Sequence, residues 1–246
     1  MFKLSYIDHE YKEENAFSQW GSFCHELLES YFLNKLSIFE LSETYEHLYE
    51  SKVLSSFPPN KYKDLDESYF ENGLDYFSNF ENPFEGYEVI GVEQKININI
   101  GKYKFVGYID LILKKGDDYY ICDHKSKGKF KDDQEHRHYL FQLYLYSKYI
   151  YETYGKYPKA LIFNMFRARD IITSEFSIDE YNKALNWAEY SINQIIEETT
   201  WYDKVFLDYV SRDKDLNSFK YDDFFCNELC SVKNSCERAI SYLSEE

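Results

Sequence analysis

Two segments rich in β-branched and aromatic residues, KYKFVGYIDLIL (102–113) and YYICDHKS (119–126), are separated only by Lys-Lys-Gly-Asp-Asp. That pattern predicts a β-hairpin, and it limits what the rest of the chain can build. With Gly116-Asp117 as a two-residue turn, Lys115 faces Asp118, Leu113 faces Tyr120 and Asp110 faces Asp123. Directly opposed residues lie about 4.5–5.5 Å apart at Cβ. Side chains alternate along a strand, so Asp123 and Lys125 are expected on the face of Asp110, with Cys122 and His124 on the other.

Two carboxylates held that close repel each other, and burying them uncompensated costs several kcal/mol. A divalent cation removes the cost. Hard cations take oxygen ligands, commonly one or two protein carboxylates together with phosphate oxygens. Lys125 beside such a site can hold an attacking water or stabilise charge growing on a phosphate. The pattern fits metal-assisted phosphodiester hydrolysis. The competing interpretation is a solvated hairpin face with a cross-strand ion pair.

The rest of the sequence sets the frame. The chain has 246 residues, 44% hydrophobic and 20% aromatic, with only 9 Gly and 4 Pro, enough for one large folded domain. Neither a long apolar run nor an apolar signal core at the N-terminus is evident, so a cytoplasmic protein without a membrane span is expected. The net charge of −16 argues against indiscriminate nucleic-acid binding, because counterion release by a basic surface supplies most non-specific affinity. A local basic track is compatible with it. KSKGKFK, carrying Lys125, Lys127, Lys129 and Lys131, is the densest positive stretch, and Arg137, Arg167 and Arg169 are further candidates.

Periodicity predicts helices over 18–36, 38–57 (ended by Pro58-Pro59), 62–80, 137–154 and 179–199, and strands over 89–100 and 159–167 beside the hairpin. The expected fold class is α/β: a central mixed sheet flanked by helices, with a helical N-terminal region. One domain over 1–246 is expected, with a helical insertion at about 38–82 and a cysteine-containing segment at about 222–246.

Gly21-Ser-Phe-Cys-His25, Gly107-x-x-Asp110, Asp123-x-Lys125 and Gln142-x-x-x-Tyr146, in that order over roughly 17–170, resemble the RecB-like branch of the PD-(D/E)XK nucleases. The resemblance implies a restriction-endonuclease-like core. It further implies a Mg²⁺- or Mn²⁺-dependent exonuclease acting on DNA, with His25, Asp110 and Asp123 as metal ligands, the carbonyl of His124 as a further ligand and Lys125 as catalytic. Gln142 and Tyr146, one helical turn apart, would line the groove and position the strand, with Lys127 contacting DNA. Glu93 resembles an acid often found near such sites. Repair, recombination or mobile-element defence is the implied context, alone or beside a partner protein of a recombination, phage or CRISPR-associated complex. The alternative is a non-catalytic nucleic-acid-binding or scaffolding subunit.

Cys226-x3-Cys230-x5-Cys236 has spacing that suits zinc or an iron–sulfur cluster. By the same resemblance it would supply three ligands of a [4Fe–4S] cluster. The family's fourth cysteine, in a segment before the first helix, is not found here. Cys24 is read as a core thiol.

Overall fold

The hairpin register is observed as expected. The structure, a computed structural model, describes residues 14–201 and 228–230. β2 (Tyr103–Lys115) and β3 (Asp118–His124) pair antiparallel through Lys115↔Asp118, Leu113↔Tyr120 and Leu111↔Cys122. Gly116 takes φ +61° while Asp117 does not turn positive, the pattern of a type II′ turn, whose hand matches strand twist. β1 (Glu88–Ile100) joins β2 across Gly101-Lys102 in a similar way.

β4 (Ala160–Met165) lies parallel to β3, and β5 (Asp170–Glu175) returns antiparallel, so the mixed sheet runs β1-β2-β3-β4-β5. A parallel pair needs a crossover, supplied by α4 (Asp133–Tyr154). Asp132 caps its first turn by accepting from the Glu135 amide, and Gly155 closes it in the left-handed conformation. α4 and α5 (Ile178–Trp201) cover one sheet face, where Leu143, Tyr144 and Ala184 pack with Ile96, Ile98 and Phe163. Against the other face, α1 (Ala16–Phe32) stacks Phe32 on His124 and sets His25 edge-on to Phe166. The chain is thus α/β with helices on both faces, consistent with a restriction-endonuclease-like core.

Two compact units account for the described residues. One comprises Cys24–His47 and Asn72–Trp201 and holds the sheet; the other includes residues 14–23 and Leu48–Glu71. In the second, Phe17 meets Phe57 and Tyr69 edge-on, and Trp20 packs likewise on Tyr69.

The expected helices are present with shifted ends: α1 starts and stops earlier than expected, α4 starts earlier, and α5 runs slightly longer. α2 spans Leu41–Lys52 and α3 spans Leu65–Ser78, the latter capped by Asp64, whose carboxylate accepts from the Asp66 and Glu67 amides. One strand was not foreseen. The strand expected over 159–167 stops at Met165, a short 3₁₀ turn (Phe166–Ala168) and left-handed Arg169 reverse the chain, and β5 follows. β5 is a six-residue edge strand with four of its residues exposed and none buried, so neither length nor apolar alternation marks it.

No helix among the described residues is long and apolar enough to cross a membrane. Cys24 and Cys122 are buried free thiols, and Cys230 is half-buried and free. Cys226 and Cys236 lie outside the described residues.

Candidate metal centre and active site

The β2–β3 ladder ends at Leu111↔Cys122, one step short of Asp110 and Asp123. Beyond it the main chain finds other partners. The His124 amide donates to Asp110 Oδ2 at 2.7 Å, and the Lys125 amide donates to the Asn164 carbonyl of β4 at 2.8 Å. On the other side of β2, Val92↔Leu111 and Gln94↔Ile109 set Glu93 opposite Asp110. Glu93, Asp110 and Asp123 therefore occupy one row across three neighbouring strands.

Glu93 sits at φ +45°, a left-handed conformation that costs a non-glycine residue about 1–3 kcal/mol and persists only where the surroundings impose it. Such outliers gather at functional sites. His25 completes the group from α1, its Nδ1 3.5 Å from Asp110 Oδ2. One ligand atom each from His25, Glu93 and Asp110 lies within 4.8 Å of the others. Two carboxylates and an imidazole suit a divalent cation with a preference for oxygen and nitrogen donors. On chemistry and spacing, these residues fit a metal.

The electrostatics show what the cation would relieve. Burial, then the charge of Asp123, and then Glu93, push the Asp110 carboxyl well above the usual carboxylate range, although the His124 amide and Lys125 pull it back. Burial raises Asp123 as well, against Lys125. Burial, Glu29 and Asp123 raise Glu93. His25 moves the other way: burial and the Lys125 ammonium lower it to about 4, so at neutral pH the imidazole is uncharged, the form that can ligate a metal.

Lys125 is held on several sides. Its Nζ lies 2.7 Å from Asp123 Oδ2 and 4.9 Å from the ring centroid of Tyr139, with Phe163 at 5.9 Å. An ammonium over aromatic faces gains cation–π attraction without losing its charge. The expected sharing of a face by Asp123 and Lys125 holds, and His124 points away from them onto Phe32. The His124 ring meets Asn164 Nδ2 through Nδ1 at 2.9 Å, while its Nε2 is buried without a hydrogen-bond partner. Burial keeps the ring neutral. It does not enter the His25/Glu93/Asp110 group.

Gln142 and Tyr146 face the same way, Gln142 Nε2 donating to Tyr146 Oη at 2.8 Å. Tyr146 also explains the glycine three residues before Asp110. A Cβ on Gly107 would stand 2.7 Å from Tyr146 Cε1, closer than carbon atoms approach. Gly107→Ala is therefore expected to displace the Tyr146 ring and lower stability by about 1–3 kcal/mol, the usual cost of overpacking. Chemical denaturation checks this, and in a Tyr146→Ala background, where the clashing ring is gone, adding Gly107→Ala should cost little more.

Other residues marked in the sequence are engaged elsewhere. Lys127 pairs with Glu135, Arg137 with Glu180 and Arg169 with Asp75. Three residues matter more than the sequence reading allowed. From sequence, Glu93 only resembles an acid found near such sites. Asn164 holds both the Lys125 amide and the His124 ring, and its signal was a single amide within the buried strand ALIFNM. Tyr139 precedes Gln142 and Tyr146 at helical spacing, on their face of α4.

Comparison with known proteins agrees with this geometry. The family model of the PD-(D/E)XK nuclease superfamily matches residues 1–237. No curated protein matches the chain.

Proposed function

The chain belongs to the PD-(D/E)XK nuclease superfamily, and from that premise we propose that it is a Mg²⁺- or Mn²⁺-dependent deoxyribonuclease of the RecB-like type, acting from DNA ends. The observation that carries the reading is the row of Glu93, Asp110 and Asp123 across three strands, with His25 against Asp110 and the Lys125 ammonium against Asp123. A non-functional fold has no reason to keep three mutually repelling acids beside a strained backbone.

His25, Glu93 and Asp110 would hold the cation, with Asp123 and the His124 carbonyl as further ligands. When bound, the cation supplies Lewis-acid polarisation of the scissile phosphate and lowers the pKa of a coordinated water. Lys125 orients the attacking water and offsets negative charge on the phosphate oxygens as the diester is attacked. Tyr139 and Phe163 restrict where that ammonium can go. Gln142 lines the groove, and Tyr146, buried beneath it, fixes the Gln142 amide through its hydroxyl. Neither buried thiol is a candidate nucleophile, because burial holds Cys24 and Cys122 protonated. Repair, recombination or defence against mobile elements is the biological setting this chemistry fits.

The test is purified protein with end-labelled single- and double-stranded DNA in Mg²⁺, Mn²⁺ or EDTA, beside Asp123→Ala. Metal-dependent shortening from the labelled ends, lost in the variant, is expected. A folded wild-type protein that cuts neither substrate with either metal would overturn the reading.

A further inference from the structure

The antiparallel ribbon of β1 and β2 runs well past the acidic row. Over residues 95–100 and 104–109 of the two strands, one face is buried through Ile96, Ile98, Ile100, Gly107 and Ile109, while Lys95, Asn97, Asn99, Lys104, Val106 and Tyr108 are exposed. Register makes these exposed residues three cross-strand pairs: Lys95↔Tyr108, Asn97↔Val106 and Asn99↔Lys104. The first pair stands two residues along each strand from Glu93 and Asp110. From there to Lys104 the strand covers roughly 20 Å from Asp110, at about 3.3 Å per residue.

Charge sets this ribbon apart from its surroundings. The chain carries 44 acidic against 28 basic residues. Yet from Gln94 to Ile109 there is no acid, and Lys95, Lys102 and Lys104 are present. The exposed side chains are of the kinds that meet an unpaired nucleic-acid strand. Ammonium groups can reach phosphates, Asn97 and Asn99 can donate to and accept from base edges, and Tyr108 offers a ring that is 49% exposed beside Val106 at 53%. Lys95 Nζ already lies 5.9 Å from the Tyr108 ring centroid, so the same spot offers a stacking surface and a cation.

We propose that the exposed face of the β1–β2 ribbon is a binding track for single-stranded DNA leading to or from the acidic row. The choice of occupant rests on the nuclease reading; the choice of single strand rests on Tyr108 and Val106. A duplex keeps its bases stacked on one another, whereas a single strand can lay a base on an exposed ring and thread its phosphates past lysines. Strong acidity elsewhere confines a polyanion to this path. The track is separate from the lysines at the β3 exit, of which Lys127 is paired with Glu135.

Binding can be measured without cleavage, by fluorescence anisotropy of a labelled oligothymidylate with the full chain in EDTA. The double variant K95Q/K104Q is expected to bind at least about tenfold more weakly. Its plot of log affinity against log salt should be shallower by about 1.4, two phosphate contacts at about 0.7 each for a single strand. Tyr108→Ala should weaken binding roughly tenfold with little change in salt slope, as loss of stacking does. Charge-matched K115Q/K156Q, at the opposite end of β2, should bind as wild type does. Wild-type affinity and slope in K95Q/K104Q would overturn the proposal, as would a wild-type protein that binds duplex but not single strands. Strand binding that follows this pattern in a protein without metal-dependent cleavage would leave the track standing and sink the catalytic reading instead.

Discussion

Lys125→Ala is expected to abolish DNA cleavage while leaving divalent-metal binding largely intact. The loss should be at least about 10²–10³-fold, the scale set by removing one preorganised group that stabilises transition-state charge. Stability should fall as well, and in an informative way. Lys125 and Asp123 are 17% and 7% exposed in their side chains. Removing one partner of a buried pair costs about 3–5 kcal/mol, because the other charge is left uncompensated. In EDTA the variant should therefore melt well below wild type. A saturating divalent cation neutralises the acids by another route and should recover much of that difference without recovering activity. Calorimetric metal titration, thermal melts with and without Mn²⁺ and the end-label assay separate these effects. Retained cleavage would remove Lys125 from the mechanism.

The second large effect concerns pH. Asp110, Asp123 and Glu93 all have carboxyls raised above their ordinary range in the folded protein. The metal-free native state consequently binds protons more tightly than the unfolded chain. The stability this gives is fully present below the unfolded carboxylate pKa, about 4, and is lost as pH rises through the raised folded values. His25 has the opposite sign. Lowered to about 4 when folded against about 6.5 unfolded, it stabilises above that window and opposes folding as pH falls through it. Above about pH 6.5 the folded imidazole is neutral and the unfolded one is losing its remaining charge, which can only raise stability, so a fall in metal-free stability there belongs to the carboxylates. A bound cation should flatten that fall, and metal binding should release protons. Melting temperatures at pH 6.5 to 8 with EDTA and with Mg²⁺, together with proton release measured in buffers of different ionisation enthalpy, test both. Equal slopes with and without metal would mean that the acids do not share a cation site.

The hairpin was legible because two local signals, strand alternation and a Gly-Asp turn, fix each other's register. Once Lys115 faces Asp118, the ladder through Leu111↔Cys122 follows. Glu93 was harder to read, since its place depends on pairing with β2 and on a left-handed backbone that no propensity announces in a glutamate. Asn164 and Tyr139 lie on elements whose positions depend on the parallel crossover, so their nearness to Lys125 is a long-range outcome. β5 went unread because an exposed edge strand of six residues need not alternate. The Gly107–Tyr146 contact was half visible: both motifs stand in the sequence, and only packing shows that one makes room for the other. The strand track was hidden for a different reason. Its lysines are scattered along 95–104, and pairing of β1 with β2 gathers them onto one face.

The hydrogen bond from the Lys125 amide to the Asn164 carbonyl has a bearing on the order of assembly. During synthesis the acids and Lys125 emerge before β4, and a hairpin alone has neither the parallel neighbour nor the crossover helix that seats the ammonium. The site of this PD-(D/E)XK superfamily member is thus complete only once β4 and the crossover helix have joined the hairpin. A chain that stalls or is clipped before the crossover helix carries the acids and Lys125 without the partners that seat them.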